Sequence, residues 1–341
     1  MIQQSLEIGP IHEFLPGMMK LGLGLHGDRI ESIDTEFGYL SKKLVETANE
    51  KSVIEAQIRL SRIDPENAPI VDFLITTAIE EATATIIPER AIWIRDITVQ
   101  VCELNSAIRY LAMMAKRMQL DALVQVLLRH REDLMDLIEL LTGSRFGYDY
   151  IVPGGVRFDL SHGFSERLER WIKNFNQDYL RIEAMFYWTS YHENYLKQIG
   201  GVVDTGNLGF VSRALKEETR LGPVSNVKSR LDFVLESTLK ICSILASDVF
   251  ASVEGEFRAP APLTEKNELK KNDVKSEFQS IRGSWFLRLS LSKGLFIKNL
   301  EVITPSDQSI RALSEALLDE SFDDLPLIVQ SLNLSIAEID K

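Results

Sequence analysis

At 341 residues, with 45% hydrophobic and 26% charged residues, the chain has material for a large core and for one to three domains. A formal net charge of −12 argues against a polybasic surface for nucleic acid or anionic lipid. The two cysteines, Cys102 and Cys242, sit in apolar helical patterns without a second Cys or a His at ligand spacing, which argues against structural zinc, an iron–sulfur site or a disulfide framework. No basic-then-apolar leader opens the sequence, and no apolar run reaches the roughly 18–20 residues of a bilayer span. The expectation is a chain facing the cytosol that meets membranes only through partners.

In chain order, two short apolar strands meet at His26-Gly27-Asp28, which has hairpin turn chemistry. The Gly38-Tyr39-Leu40 run is expected to feed a helix. A mixed helical segment from Ser41 to Leu60 is interrupted by Pro65 and Pro69, each of which ends or kinks a helix. Helical periodicity resumes over Ile70 to Thr85. Pro88 opens the next helix, whose apolar positions Ile94, Val101, Leu104, Ile108, Leu111 and Met114 follow a 3.6-residue repeat to Arg117. Leu123 to Leu141 reads as a helix capped by Gly143. The stretch Gly147 to Leu160 is a loop around Pro153-Gly154-Gly155, and Ser165 is the expected N-cap of the helix after it. Trp171, Phe175 and Tyr179 in that helix read as core. Glu103 and Arg117 read as solvated or interface charges.

Gly200 to Gly209 is irregular, and Val227 to Val249 is an amphipathic helix. Pro260 and Pro262 open a polar linker to about Lys275. The period then becomes two over Ser284 to Leu291 and Leu295 to Lys298, around a Lys293-Gly294 turn. Helical character returns from Leu325 to Leu334. The fold class is therefore α+β, mainly helical. It divides into an N-terminal β-hairpin element (1–40), a helical bundle with the 147–160 loop (41–255), and a linker with a C-terminal α+β element (256–341). No nucleophile elbow, P-loop or dinucleotide fingerprint is present.

Several motifs, in order, resemble those of the large catalytic-module subunit of respiratory complex I (NADH:quinone oxidoreductase) and of the related nickel–iron hydrogenase large subunit. They are Gly9-Pro10-Ile11-His12, Gly38-Tyr39-Leu40-Ser41-Lys42, Pro88-Glu89-Arg90-Ala91-Ile92-Trp93-Ile94-Arg95, Arg131-Glu132, Thr142-Gly143-Ser144-Arg145, and Pro153-Gly154-Gly155-Val156-Arg157-Phe158-Asp159-Leu160. Ile336 to Lys341 resembles that family's closing Gly-Glu-Val-Asp-Arg.

The resemblance implies a subunit of a membrane-associated complex I-like or energy-converting hydrogenase-related assembly. Such a subunit packs beside a small iron–sulfur subunit and membrane-arm subunits, forms part of a quinone-type cavity, and sits peripherally on the cytoplasmic side of the inner (cell) membrane. No cofactor is expected on this chain itself: the iron–sulfur cluster belongs to the partner, and quinone is a possible ligand.

The departures are specific. The family's second His falls at Pro16, and its quinone-binding Tyr falls at Pro65, which has no side-chain donor. Where hydrogenases place Cys-x-x-Cys, this chain has Asp64-Pro65-Glu66-Asn67, so soft thiolate ligands for a nickel–iron centre are missing. No residue is expected to be catalytic. The cavity-lining candidates are His12, Pro16, Arg62, Asp64, Pro65 and Asp159, with Arg62 and Asp64 as a possible charged pair. Asp159 could instead cap its loop. Lys42, at the position of the family's cluster-proximal Arg, is the candidate nearest the partner's iron–sulfur cluster. A non-catalytic paralogue serving as scaffold is the alternative.

Overall fold

The computed structural model describes residues 3–203, 209–214, 217–219, 222–260 and 269–341. The chain opens with a three-stranded antiparallel sheet, β1 (Gln3–Ile8), β2 (Lys20–His26) and β3 (Arg29–Glu36), in spatial order β1-β2-β3. The expected hairpin is β2–β3. Strand β1, with apolar residues only at Leu6 and Ile8, adds the third strand. Leu21, Leu23 and Leu25 of β2 are buried while the residues between them are not, the period-two pattern of a half-buried strand. Gly9 lies at φ +108°, and a Cβ there would run into the Met19 carbonyl, so the entry into the 10–18 loop needs glycine.

The Gly38–Leu40 run does not continue directly into a helix. Helix α1 (Leu44–Ala48) begins only after Lys43, which sits in the left-handed region, and α2 (Val53–Leu60) follows, capped by Ser52. A 3-10 turn at Pro65–Asn67 leads into α3 (Ala68–Thr83), where Pro69 occupies the first turn. The longest element, α4 (Glu89–Arg117), and its partner α5 (Asp121–Thr142), closed by left-handed Gly143, match the expected bounds within two residues.

Within the 147–160 loop, β4 (Ile151–Val152) and β5 (Gly155–Val156) form a two-stranded hairpin. Helix α6 (Phe164–Phe186) is not capped by Ser165. The Ser161 carbonyl already accepts the Phe164 N–H at 3.1 Å, so helical geometry begins one residue before that serine, and Gly163 stands at the cap. Trp171, Phe175 and Tyr179 are buried as core.

Helix α7 (Ser190–Gln198) is followed by β6 (Val202–Val203), α8 (Phe210–Arg213), β7 (Glu217–Thr219) and β8 (Gly222–Ser225), with a small sheet in the order β6-β8-β7. The irregular reading of 200–209 thus holds a short strand, and 204–208 lies outside the described residues. Helix α9 (Val227–Phe250) starts at a capping box of Asn226 and Ser229 and buries Leu231, Leu235, Thr238, Cys242 and Leu245. Pro262 and about half of the expected linker, 261–268, also lie outside the described residues.

Strands β9 (Asp273–Ser280), β10 (Gly283–Ser292) and β11 (Phe296–Ile303) form an antiparallel sheet in the order β11-β10-β9, one strand more than the sequence suggested. The chain finishes with α10 (Pro305–Ser309), α11 (Ala312–Leu317), α12 (Leu325–Ser331) and α13 (Ile336–Ile339).

Helix α4 packs against α5 and α9, α6 covers α5 and α9, and α3 lies under β9. Both terminal sheets are tied to the rest of the chain by backbone. Ile30 N–H donates to the Glu320 carbonyl at 3.1 Å, Asp319 N–H to Ile30 at 2.9 Å, and Glu50 N–H to Ile297 at 2.8 Å. Among the described residues, no helix is long and apolar enough to cross a membrane.

Candidate functional site

The arginines of Pro88–Arg95 fasten the Pro153-Gly154-Gly155 hairpin. One turn and a little more separates Arg90 from Arg95 on α4. Arg95 is buried and donates from Nη1 to Glu80 Oε2 at 2.9 Å and from Nη2 to Glu80 Oε1 at 2.6 Å. The same guanidinium donates to the Gly155 and Val152 carbonyls. Glu80 Oε1 also accepts the Gly154 N–H at 2.7 Å. Gly155 sits at φ +152° with a would-be Cβ against the Phe257 carbonyl, because 257–259 pairs along the hairpin: Val156 N–H donates to Phe257 and Ala259 N–H to Gly154. Arg90 Nε donates to Asp159 Oδ1 at 2.9 Å, and that same oxygen accepts the Leu160 N–H at 2.8 Å. Asp159 is thus both an ion-pair partner and a loop cap.

A second polar centre forms at the corner before the 3-10 turn. Asp64 is buried, and its partner is Arg282 at 2.9 Å, not Arg62. Its other contacts are Asn67 Nδ2 at 2.8 Å and the Glu66 N–H at 3.1 Å. Arg282 Nη1 also donates to Glu338 Oε1 at 2.5 Å, and Nη2 donates to Ser306 Oγ and to the Asn333 carbonyl. Glu338 Oε2 accepts the Ser306 N–H at 3.1 Å. Burial pushes the Glu338 carboxyl up to about 8, against the pull of Arg282 and with the help of neighbouring Asp64. Burial also acts on Asp64, but Arg282 and the hydrogen bonds around it outweigh burial and hold that carboxyl below its ordinary value. Next to this centre, Glu66 takes ion pairs from Arg109 at 3.1 Å and Arg131 at 3.0 Å.

The structure disperses the remaining candidates. Arg62 is half-buried, pairs with Asp149 at 3.3 Å and lies over the Tyr148 ring at 4.9 Å from its centroid. His12 is exposed and edge-on to Phe14, ring centroids 4.4 Å apart. Pro16 and Pro65 are half-buried. Next to Pro16, Gly17 meets α13: a Cβ there would stand 2.8 Å from Ile336 Cβ. Lys42 is exposed on the 38–43 segment. That segment is held by Asp340, whose carboxylate accepts the Gly38 N–H at 2.7 Å and the Leu40 N–H at 2.8 Å. Glu103 is a correction to the sequence reading. It is half-buried, accepts the Ile281 N–H at 2.6 Å, and burial pushes its carboxyl up to about 7. Arg117 is half-buried as well and donates to the Glu13 carbonyl.

This donor set does not fit a nickel–iron centre. Cys102 and Cys242 are buried on separate helices, and burial raises both thiols, Cys242 to about 12, which disfavours the thiolate that ligates metal. Among the described residues, no group of three or more His, Cys, Asp or Glu is arranged to hold a metal. Nor does it supply a His–Tyr donor pair for a quinone. Pro16 and Pro65 carry no donor, and Asn67 and the Arg282 Nη groups already donate inside the Asp64 centre. The partners that sequence reasoning missed, Glu80, Arg282 and Glu338, are distant in sequence from the residues they hold. Their only advance signal was a charge inside an otherwise apolar or motif-bearing stretch.

Comparison with known proteins bears on the same regions. The family model described as respiratory-chain NADH dehydrogenase, 49 Kd subunit, matches residues 120–214. One subunit of the F(420)H(2) dehydrogenase of Methanosarcina mazei is 25% identical over 74% of this chain and 68% of its own length. An NADH-quinone oxidoreductase subunit from Chloroherpeton thalassium is 31% identical, but over only 50% of this chain and 39% of that protein. An NADH-quinone oxidoreductase subunit from Desulfotalea psychrophila aligns over 99% of this chain and 96% of its own length at 23% identity. In fold, the chain is similar to a chain of the membrane-bound sulfane sulfur reductase, an archaeal respiratory membrane complex. The TM-score is 0.89 over 99% of this chain and 98% of that one, at 18% identity.

Proposed function

We propose that this chain, a divergent homologue of the respiratory 49 kDa-type subunits, is a subunit of a complex I-like respiratory membrane complex. One observation carries the reading: the alignment with the NADH-quinone oxidoreductase subunit of Desulfotalea psychrophila runs through 99% of this chain and 96% of the relative, so the likeness is to the whole subunit rather than to a shared module. In the finer reading, the chain packs beside a small iron–sulfur subunit and against membrane-arm subunits, peripheral to the membrane on its cytoplasmic side. Lys42, exposed on a segment pinned by Asp340, is the residue that meets the iron–sulfur partner. A lysine keeps the charge there but not the planar fork of an arginine.

The second reading, a non-catalytic scaffold, is favoured by the corner at Asp64. Its donors are spent on internal ion pairs, and proline stands at both positions from which the family binds a quinone head group. Purification of the full chain from detergent-solubilised membranes of its source tests both readings. Co-migration with a small subunit that gives an iron–sulfur electron paramagnetic resonance signal, together with integral membrane subunits, is the expected outcome. Recovery as a lone protein from the soluble fraction would overturn the assignment. Within a purified complex, a His12→Ala variant separates the two readings. Unchanged quinone-linked electron transfer is the scaffold outcome, and loss of it gives His12 a working role.

A further inference from the structure

We propose that Asp64 and Glu338 form a buried proton-binding site, one proton held between two carboxyl groups that share a single guanidinium. One nitrogen of Arg282, Nη1, contacts an oxygen of each carboxyl, at 2.9 Å for Asp64 and 2.5 Å for Glu338. Relative exposures are 6% for Arg282, 5% for Asp64 and 0% for Glu338. Two carboxylates brought to one guanidinium nitrogen disfavour each other's ionised form, which favours a proton on one of them.

Charge balance points the same way. With both carboxyls ionised, the centre carries two negative charges against one positive in a place water does not reach, which is costly. With one proton it is neutral. The surrounding charges do not change this sum. Glu66 on the 3-10 turn faces two guanidinium groups, Arg109 of α4 and Arg131 of α5, and in the charge count the one positive charge left over is offset by the carboxylate of Asp340; Asp307 of α10 is matched by Lys341 after α13. Asp340 is committed to the amides of 38–40.

The remaining contacts assign the proton to Glu338. Asp64 accepts from Arg282, Asn67 and the Glu66 amide, a set that favours its ionised form. Among the described residues, Glu338 accepts from Arg282 and the Ser306 amide, one donor fewer. On release, the O–H bond of the Glu338 acid breaks, the proton leaves the centre for bulk solvent, and both carboxylates face Arg282. The site joins the α2–α3 corner to α13, so a shift of either element changes the proton affinity. It is independent of any quinone donor and stands whichever complex the chain joins.

Infrared spectroscopy of the full chain tests this through the carbonyl stretch of protonated carboxyl groups. Other acids raised by burial, such as Asp72 and Glu103, contribute to that region, so the readout is wild type minus Glu338→Gln. Glutamine is neutral and close in shape to the protonated acid, and its amide oxygen can still accept from Arg282, which keeps the centre intact. The expected difference at neutral pH is one protonated carboxyl, fading as pH rises through about 8. An Asp64→Asn variant provides the second arm, in which the Glu338 band fades at lower pH than in wild type because the neighbouring charge is gone. No protonated carboxyl in the difference at neutral pH overturns the proposal, and so does a band whose titration is unchanged in Asp64→Asn.

Discussion

Arg95 and Glu80 meet through two parallel hydrogen bonds of 2.9 and 2.6 Å, both side chains buried, and the pair is closed off by the Gly154 N–H and the Gly155 carbonyl. The arginine that ends one motif and the glycines of another are therefore parts of a single joint, with Glu80 between them. Removing one partner leaves an uncompensated buried charge. Glu80→Ala is expected to cost about 3–5 kcal/mol, and replacing both with apolar residues of similar volume is expected to cost less than either single change. Urea denaturation of the singles and the double measures this. Additive losses would show that the pair is not coupled.

Gly155 makes a narrower demand on the same joint. At φ +152°, with the Phe257 carbonyl against the place of a Cβ, alanine has neither a relaxed backbone nor room. Gly155→Ala is expected to destabilise by about 1–3 kcal/mol. Gly143→Ala, with nothing within 4 Å of its would-be Cβ, isolates the backbone term and should cost less. Thermal unfolding of the two variants gives the comparison.

Glu338 makes stability fall with rising pH. Its folded value, about 8, lies above its ordinary 4.5, so between those values the folded chain holds a proton that the unfolded chain has lost. Its contribution is fully present below the unfolded value and is lost as pH rises through the folded one, with a slope of about −1.4 kcal/mol per pH unit in that window. Chemical denaturation of Glu338→Gln should lack this component, so the difference between variant and wild type grows with pH and levels off above about 8. A pH-independent difference would contradict it.

Asp340 is expected to govern the 38–43 segment. Asp340→Ala removes the acceptor of two amides, at a cost of about 1–3 kcal/mol. Hydrogen exchange at Gly38 and Leu40 should accelerate, while the Ile30–Glu320 pairing, which does not involve Asp340, should keep its protection.

Cys102 and Cys242 should resist alkylation in the folded protein and react once it is unfolded, because burial raises both thiols and shields them. Mass spectrometry after pulse alkylation reads this directly. Rapid labelling under native conditions would contradict the placement of both helices.

The sequence spoke most clearly where the information is local. The 3.6-residue repeat of α4, Gly143 at the end of α5 and the period-two run of β10 were all legible, because propensity, patterning and capping act within a few residues. Strand β1 was not, since its place is set by pairing with β2 more than by its own apolar content. The Ser165 cap failed for a similar reason: a turn closed by Ser161 moved the helix start. The candidate site divides along the same line. Asp159 and Asp64 were found as residues, but their partners Arg90 and Arg282 lie 69 and 218 positions away, and spacing carries no signal over such a distance. Arg62 shows the error this invites, since the nearest acid in sequence was not its partner in space.

The grip of Asp340 on Gly38 and Leu40 spans about 300 positions. A contact of that range closes a loop of about 300 residues, so the segment carrying Lys42 takes its final shape only once residue 340 is in place. The surface around Lys42 is therefore shaped by a residue about 300 positions away, so a substitution at Asp340 reaches it without touching the segment itself.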